Sequence, residues 1–453
     1  MLTTIDYVLI ALYFLVTLVV GVITGHKHEK EDYLIANRQL NALQTASTIF
    51  ASRIGAAILL TYTALVYLHG LAALWYFIGA IFGLFVFYYF GKKIKKIGDD
   101  HKFYTLPDFF FFYKGKFAGY LSTIIVVTIM FGWVVLNFIA GGKLVEEYTP
   151  INYEWSVFLV AGVILAYLVA GGFKAVVITD MIQSVGILLL LVLMIYLLIA
   201  APEKPQIAFM DLFKIETQEM ISFFLPGFFI PMASPELWQR VYAVRDKKHF
   251  RRSLFLSSLF YFIIGLILLG IGLVIRVDLP AIDASTSLIV GFSKLLPVGM
   301  AGLSVVIIYS AVSSSADTYM FTTAASVTQD FLQKSGLLSA EKLFITMRIC
   351  MTILMILGVI MAFVMKDIID TTFFFVSLTM SLGFLVLVIW IYPQINRYSV
   401  NYTIVLCLLG VVIPAIFIGI STSLIIYAWG FCIVGLVAGI IMNYILKPSG
   451  QTG

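Results

Sequence analysis

Apolar runs of about twenty residues recur along nearly the whole chain, and no soluble fold accommodates so many. A helix needs roughly 20 apolar residues to cross the hydrocarbon core of a bilayer. Thirteen such runs can be drawn: Ile5–Thr24, Leu43–Leu68, Gly70–Phe90, Phe117–Ala140, Trp155–Ala170, Ala175–Ala200, Ile221–Trp238, Leu254–Ile275, Leu296–Thr328, Leu343–Val364, Thr371–Tyr392, Thr403–Ile420 and Ser423–Leu446. Trp155–Ala170 is short for a span, and Leu296–Thr328 is long enough to require a tilt or a kink. Of the 453 residues, 61% are hydrophobic and 12% charged, against about 25% charged in a soluble protein. The expectation is an all-α integral membrane protein in contact with membrane lipid.

The basic residues set its orientation. Of 29 Lys and Arg, 22 fall in loops on the side of the first connecting loop, 6 fall opposite, and Arg53 lies inside a span. Cytoplasmic loops carry the excess of Lys and Arg, so the N-terminus is expected outside and the C-terminus inside the cytoplasmic membrane. An odd number of spans preserves that asymmetry. The basic residues are scattered through short loops, which gives no reason to expect a nucleic-acid partner. Cys350, Cys407 and Cys432 all sit in apolar runs, so no disulfide framework is expected. No cleavable leader is expected, because Met1–Asp6 lacks a basic segment. Pro202–Glu219, on the outer side, mixes Pro, Lys and acidic residues and is expected to form a short surface helix.

Three stretches are too polar or too irregular for plain spans. Ala311-Val312-Ser313-Ser314-Ser315-Ala316-Asp317 runs on through Thr322, Thr323, Ser326 and Thr328 to Asp330. Lipid supplies no hydrogen-bond partners, so these groups must face protein or a water-filled cavity. The second span contains Ala51-Ser52-Arg53-Ile54-Gly55-Ala56-Ala57, and the seventh contains Pro226-Gly227, Pro231 and Pro235. Both read as broken helices, whose freed backbone groups build ion and substrate sites in transporters. They lie five spans apart, the spacing expected if spans two to six (43–200) and seven to eleven (221–392) are inverted repeats. The first helix (5–24) and the last two (403–446) are then peripheral parts of one transmembrane transporter domain covering 1–453.

Gly171-Gly172-Phe173-Lys174-Ala175-Val176-Val177-Ile178-Thr179-Asp180-Met181-Ile182-Gln183 resembles the GG-x-K-A-V-x-x-T-D-x-I-Q signature of the sodium/solute symporter family. Glu31-Asp32-Tyr33-Leu34 with Asn37-Arg38-Gln39-Leu40, Tyr104-Thr105-Leu106-Pro107-Asp108-Phe109, and Trp238-Gln239-Arg240-Val241-Tyr242-Ala243 resemble further family segments in the expected order. The resemblance implies the LeuT-type fold, with ten core helices in two inverted repeats plus peripheral ones, and sodium-driven uptake by alternating access. It also implies a sodium site between the first and eighth core helices. The ligands would be the carbonyls of Ala51, Ile54 and Ala311 with the hydroxyls of Ser314 and Ser315. Five neutral oxygens suit a hard cation that must leave again, and positions 311, 314 and 315 share one helix face. Asp180 matches the family's acidic residue on the sodium path or at a second sodium; a shallow position with local pairing near Lys174 is the alternative.

Arg53 and Asp317 depart from the sugar and proline members of the family. A charge at mid-membrane costs roughly 2.5–3.5 kcal/mol on insertion scales, so each requires a partner. Three readings stand open: a direct Arg53–Asp317 pair, Arg53 as the ligand of a substrate carboxylate, or Asp317 as a coupling residue that binds sodium or a proton. The polar sugar-binding residues of galactose members are not evident; the matching stretches are Ala57-Ile58 and Tyr76-Phe77. Ala57, Trp75, Trp133, Phe228 and Phe229 are the remaining candidates to line a substrate pocket. The resemblance implies a sodium-coupled symporter of a small organic solute, a carboxylate or amino acid rather than a sugar. Sodium is the co-transported ion, and neither a cofactor nor an enzymatic activity is expected. Two alternatives keep the fold: a proton-coupled or uncoupled transporter, whose uptake would respond to pH and ignore sodium, and a substrate-sensing membrane protein. The chain ends seven residues after the last span, which argues against the sensor.

Overall fold

A computed structural model of the protein describes residues 3–24, 30–200, 209–297 and 300–446. Lys27, Lys204, Lys447 and the first part of the expected surface helix lie outside these residues. Its described remainder, 209–219, is turn and irregular chain from 210 to 216 and enters a helix at Thr217.

The described chain is helical and contains no strand; Leu40 and Val244 form an isolated parallel bridge. Nine helices position the site: α1 (Ala42–Arg53), α2 (Trp75–Asp100), α3 (Lys116–Tyr148), α4 (Tyr153–Leu188), α5 (Thr217–Ala233), α6 (Pro235–Ala243), α7 (Lys247–Asp278), α8 (Ala301–Ala325) and α9 (Ile368–Ile391). Around them stand Thr4–Thr24, Leu343–Val364, Arg397–Phe417 and Leu424–Leu446. Nine helical stretches among the described residues are long and apolar enough to span, and Thr4–Val20 and Tyr153–Val169 are shorter apolar helices. This falls short of establishing thirteen. Ala57–Asp100 counts as a single stretch, and α8 is not among the nine because its hydroxyls and Asp317 lower its hydropathy. On Leu343–Val364, Ile345, Ile349, Ile353, Ile356 and Ile360 are each more than half exposed. That stripe at helical spacing is the face a membrane helix turns to lipid.

Both expected helix breaks are present, and each has a local cause. An Asn41–Gln44 capping box starts α1: Gln44 N donates to Asn41 Oδ1 (2.9 Å), and Asn41 N donates to Gln44 Oε1 (3.0 Å). The helix stops at Ile54 (φ −94°, ψ 62°) and resumes as a π-helical turn, Ala57–Tyr62, followed by Thr63–His69. Gly55 lies in the gap, where any Cβ would overlap the Ser315 side chain. The second break is at Ser234 (φ −78°, ψ 99°). Proline forces the residue before it out of the helical region, and Pro235 is itself the first residue of α6. Pro226 and Pro231 lie inside α5 without ending it, so Pro235 makes the break.

Glycines set two further features. A Cβ on Gly79 or Gly83 of α2 would strike the backbone of Phe224 or Phe228, and one on Gly227 the backbone of Tyr76. Small residues of this kind let membrane helices approach closely. In α4, Gly172 has φ +63° and ψ −166°, a left-handed value that favours glycine, and the Tyr33 ring occupies the space a side chain would need. The two expected spans Trp155–Ala170 and Ala175–Ala200 therefore meet at a kink, and the second bends again into Leu190–Ala200.

Candidate functional site

The hydroxyl face of α8 lies against the broken end of α1. Ser315 Oγ and Tyr319 OH both donate to the Ser52 carbonyl, at 3.0 Å each. Ser314 Oγ donates to Asp180 Oδ1, and Thr48 Oγ1 donates to Asp180 Oδ2. Ala311 is fully buried one turn before these serines, and Ala51 and Ile54 are fully buried at the end of α1. The Ala51 carbonyl accepts from Ile54 N at 3.3 Å, a bond shared with the Phe50 carbonyl at 3.2 Å. The structure thus brings the end of α1 and the Ala311–Ser315 face of α8 together. Asn137 Oδ1 on α3 accepts from Ala56 N (3.2 Å), holding the restart of the broken helix.

Asp180 is not paired near Lys174. Its carboxylate is fully buried and forms an ion pair with Arg240 at 3.1 Å; the guanidinium is fully buried too. Arg240 Nε donates to Thr48 Oγ1 (2.9 Å), Nη1 to the Glu236 carbonyl (3.1 Å), and Nη2 also to Thr318 Oγ1 (2.9 Å). One guanidinium therefore ties α6 to α1, α4 and α8. Charge patterning places Arg240 in a basic loop; the structure places it in the core, because α6 extends the broken seventh span by five residues to Ala243.

Arg53 and Asp317 do not pair. Two residues turn an α-helix by about 200°, so with Ser315 facing α1, Asp317 faces the opposite side. There its Oδ2 accepts from Tyr167 OH on α4 (2.8 Å), and Oδ1 has no partner among the described residues. Arg53 points into a cavity of about 50 Å³, which Ala57, Tyr76, Trp133, Glu236 and Tyr261 also line. Its guanidinium lies over the Tyr261 ring (4.9 Å to the centroid), and the Tyr76 and Tyr261 hydroxyls are 3.2 Å apart. Among the described residues, Arg53 Nε and Nη1 and Glu236 Oε2 have no hydrogen-bond partner. A second cavity shares Ala57, Tyr76 and Trp133 and continues past the Thr61–Thr372 hydroxyl pair (2.7 Å).

Of the six expected pocket residues, Arg53, Ala57 and Trp133 line the cavity and three lie elsewhere. Trp75 Nε1 donates to the Leu212 carbonyl (3.0 Å), and its ring meets Phe213. Phe228 stacks on Phe224 in the glycine contact with α2. Phe229 packs on Phe384 beside Gly383 of α9. Each is held by helix packing. Glu236, an intramembrane carboxylate in the sequence, lines the cavity beyond the six expected residues. Tyr76 and Tyr261 carry no signal in a chain that is 15% aromatic.

The Sodium:solute symporter family matches residues 33–393. The chain is 25% identical over 364 residues to the sodium/proline symporter 2 of Staphylococcus saprophyticus, covering 72% of this chain and 68% of that one. It is 27% identical over 355 residues to the sodium/proline symporter of Staphylococcus aureus (strain Newman), with the same coverage. Its fold is similar to that of a Na+-coupled sialic acid symporter in a substrate-bound outward-open state, with TM-score 0.83, 15% identity, and 100% and 99% of the two chains covered. It is also similar to a nucleobase-cation-symport-1 family transporter in a closed conformation, with TM-score 0.59, 13% identity, and 92% and 94% covered. A match over four fifths of the chain, on a transporter fold with two broken helices at a buried polar centre, shows that this protein belongs to the sodium:solute symporter family and is a sodium-coupled transporter of solutes, not an enzyme.

Proposed function

We propose that the solute is a small zwitterion or carboxylate, of the amino-acid class, taken up across the cytoplasmic membrane with its carboxylate on Arg53. The observation that carries this reading is the cavity itself, where a guanidinium with two unpartnered N–H groups and a carboxylate with an unpartnered oxygen line one wall system. A buried donor left unpaired costs about 1–3 kcal/mol, more when charged, and a planar guanidinium matches a carboxylate in bidentate geometry. Glu236 offers the complementary charge to an ammonium group, and Trp133 and Ala57 supply apolar walls. The sodium/proline relatives carry an amino acid of this charge pattern.

Sodium is assigned to the carbonyls of Ala51, Ile54 and Ala311 and the hydroxyls of Ser314 and Ser315. The contact between the end of α1 and that face of α8 supports it. Asp180 lies beside Ser314 on the path inward, and Asp317, on the far face of α8, is the coupling residue. The corresponding breaks at Ile54 and Ser234 support inverted repeats over 43–200 and 221–392, and the basic-residue asymmetry supports an outer N-terminus and an inner C-terminus.

A panel of amino acids, their esters and their amine-free acids, tested as competitors of labelled proline uptake into proteoliposomes under an inward sodium gradient, tests the solute assignment. A free carboxylate is required of every effective competitor, and Arg53→Lys raises the half-saturating solute concentration about 10–100-fold with a smaller change for sodium. Competition by esters equal to that by acids, or an unaltered Arg53→Lys, contradicts it.

A further inference from the structure

The basic ends of α2 and α7 form a groove lined by Lys92, Lys247, Lys248, Arg251 and Arg252, with Tyr88 and Phe255 at its edge and no acidic residue in the lining. The arrangement is built rather than a scatter of mobile side chains, because Arg251 Nε donates to Tyr88 OH (2.6 Å) and its guanidinium lies 5.5 Å from the Tyr88 ring centroid. Four of these cations occupy the first six residues of α7, where the helix dipole already concentrates positive charge. Asp246 caps that end through Lys248 N (2.8 Å) and His249 N (2.9 Å) and supplies a single negative charge. Tyr88 and Phe255 also belong to a neighbouring apolar groove between the same helices, formed by Ile81, Phe85, Leu254, Leu259 and Phe262. Phe85 is 69% exposed and Phe255 65% exposed. Phe77 and Tyr261 also line the apolar groove, and Tyr261 is the residue under the Arg53 guanidinium in the solute cavity.

We infer that this composite groove binds one anionic phospholipid, its phosphate among Lys92, Lys247, Lys248 and Arg252 and an acyl chain laid along the apolar channel behind Tyr261. A free phosphate leaves the apolar channel unused, and a zwitterionic phospholipid brings an ammonium group into a cluster of five cations. A negatively charged headgroup with attached chains satisfies both parts, and basic pockets between membrane helices bind such headgroups elsewhere. The chain lies behind the aromatic wall of the solute cavity, so occupancy of the groove sets the rigidity of that wall.

Electron paramagnetic resonance with spin-labelled phosphatidylglycerol and phosphatidylcholine, on the purified transporter in phosphatidylcholine bilayers, measures the selectivity directly. Wild type prefers phosphatidylglycerol at least fivefold. Neutralising the groove (Lys247→Gln, Lys248→Gln, Arg252→Gln) brings the ratio close to one, whereas the conservative set Lys247→Arg, Lys248→Arg, Arg252→Lys keeps it. Neutralising Lys102, Lys116 and Lys342, exposed basic residues outside the groove, leaves it unchanged. Ser258→Trp, which fills the apolar channel without altering charge, lowers it at least threefold. Equal association of the two lipids with wild type, an equal loss in the control triple variant, or an unaltered Ser258→Trp overturns the proposal. Loss of the preference in millimolar inorganic phosphate assigns the basic groove to a free anion and overturns the lipid.

Discussion

The Asp180–Arg240 pair is the junction of four helices, and its removal has a magnitude that follows from its surroundings. Both side chains are fully buried. Arg240→Gln leaves Asp180 with its two hydroxyl donors but no counter-charge, and breaking a buried pair by removing one partner costs about 3–5 kcal/mol. Thr318 also loses its donor, and one unmet hydroxyl acceptor adds about 1 kcal/mol. At about 2.1 cal/mol/K of unfolding entropy per residue, a 453-residue chain shifts its midpoint by about 1 °C per kcal/mol. Arg240→Gln is thus expected to lower the unfolding midpoint in mild detergent by about 4–6 °C. In Asp180→Asn/Arg240→Gln no unpaired charge remains, so the loss shrinks to about 1–2 °C despite the second substitution. The double-mutant cycle, read by intrinsic fluorescence or scanning calorimetry at fixed detergent and salt, yields a coupling of at least about 2–5 kcal/mol, the difference between the Arg240→Gln and double-variant losses, to which the Asp180→Asn loss adds. Additive losses refute the reasoning, since they mean that the two charges do not stabilise each other.

Gly55→Ala places a Cβ against Ser315. Such overpacking costs about 1–3 kcal/mol, and transport is expected to fall at least tenfold with the protein still present in the membrane; unchanged transport means the break is not a tight contact. Trp75→Phe, outside the cavity, leaves solute affinity unchanged, and Trp133→Ala weakens it about tenfold or more, both read by competition uptake. At the basic end, beyond the spans, Asp330 is fully buried, accepts from Thr105 (2.9 Å) and Lys334 (3.1 Å), and lies near Asp108, which Lys334 also contacts. Burial foremost, with Asp108 adding, pushes its carboxyl up to about 7 against Lys334 and Thr105. A carboxyl raised in the folded state contributes stability that is complete below its unfolded value of about 3.9 and is lost as pH rises through 7. Between pH 5.5 and 7.5 the wild type therefore loses about 2 kcal/mol relative to Asp330→Asn, and parallel unfolding curves for the two proteins across that window contradict the assignment.

The membrane class and the breaks of the second and seventh spans were legible because each leaves a mark in one dimension: apolar length, a Gly in a run of small residues, a Pro at a helix start. The contact between α1 and α8 was legible through the serines at 314 and 315. What the sequence could not disclose was rotation and depth. A direct Arg53–Asp317 pair was one of three open readings because both stand near the expected sodium site, yet the 200° between Ser315 and Asp317 sends the carboxylate to Tyr167 instead. Arg240 read as a loop cation because hydropathy alone cannot tell a polar inner turn, buried by its neighbours, from a solvated one. The aromatic candidates divided the same way. Phe228 and Phe229 follow a proline–glycine pair that suggests an open site, and it is the glycines opposite, Gly83 and Gly383, that draw them into helix contacts.

Sodium-gradient-driven uptake of labelled proline into proteoliposomes, with wild type against Ser314→Ala/Ser315→Ala, tests the coupling directly. Wild type is predicted to accumulate solute only when sodium is higher on the side corresponding to the cell exterior. The double variant is predicted to require at least tenfold more sodium for half-maximal uptake, while solute affinity at saturating sodium stays within about threefold. Transport of the solute by wild type at equal rates with and without the gradient, or an unchanged sodium requirement in the double variant, contradicts the sodium site between α1 and α8.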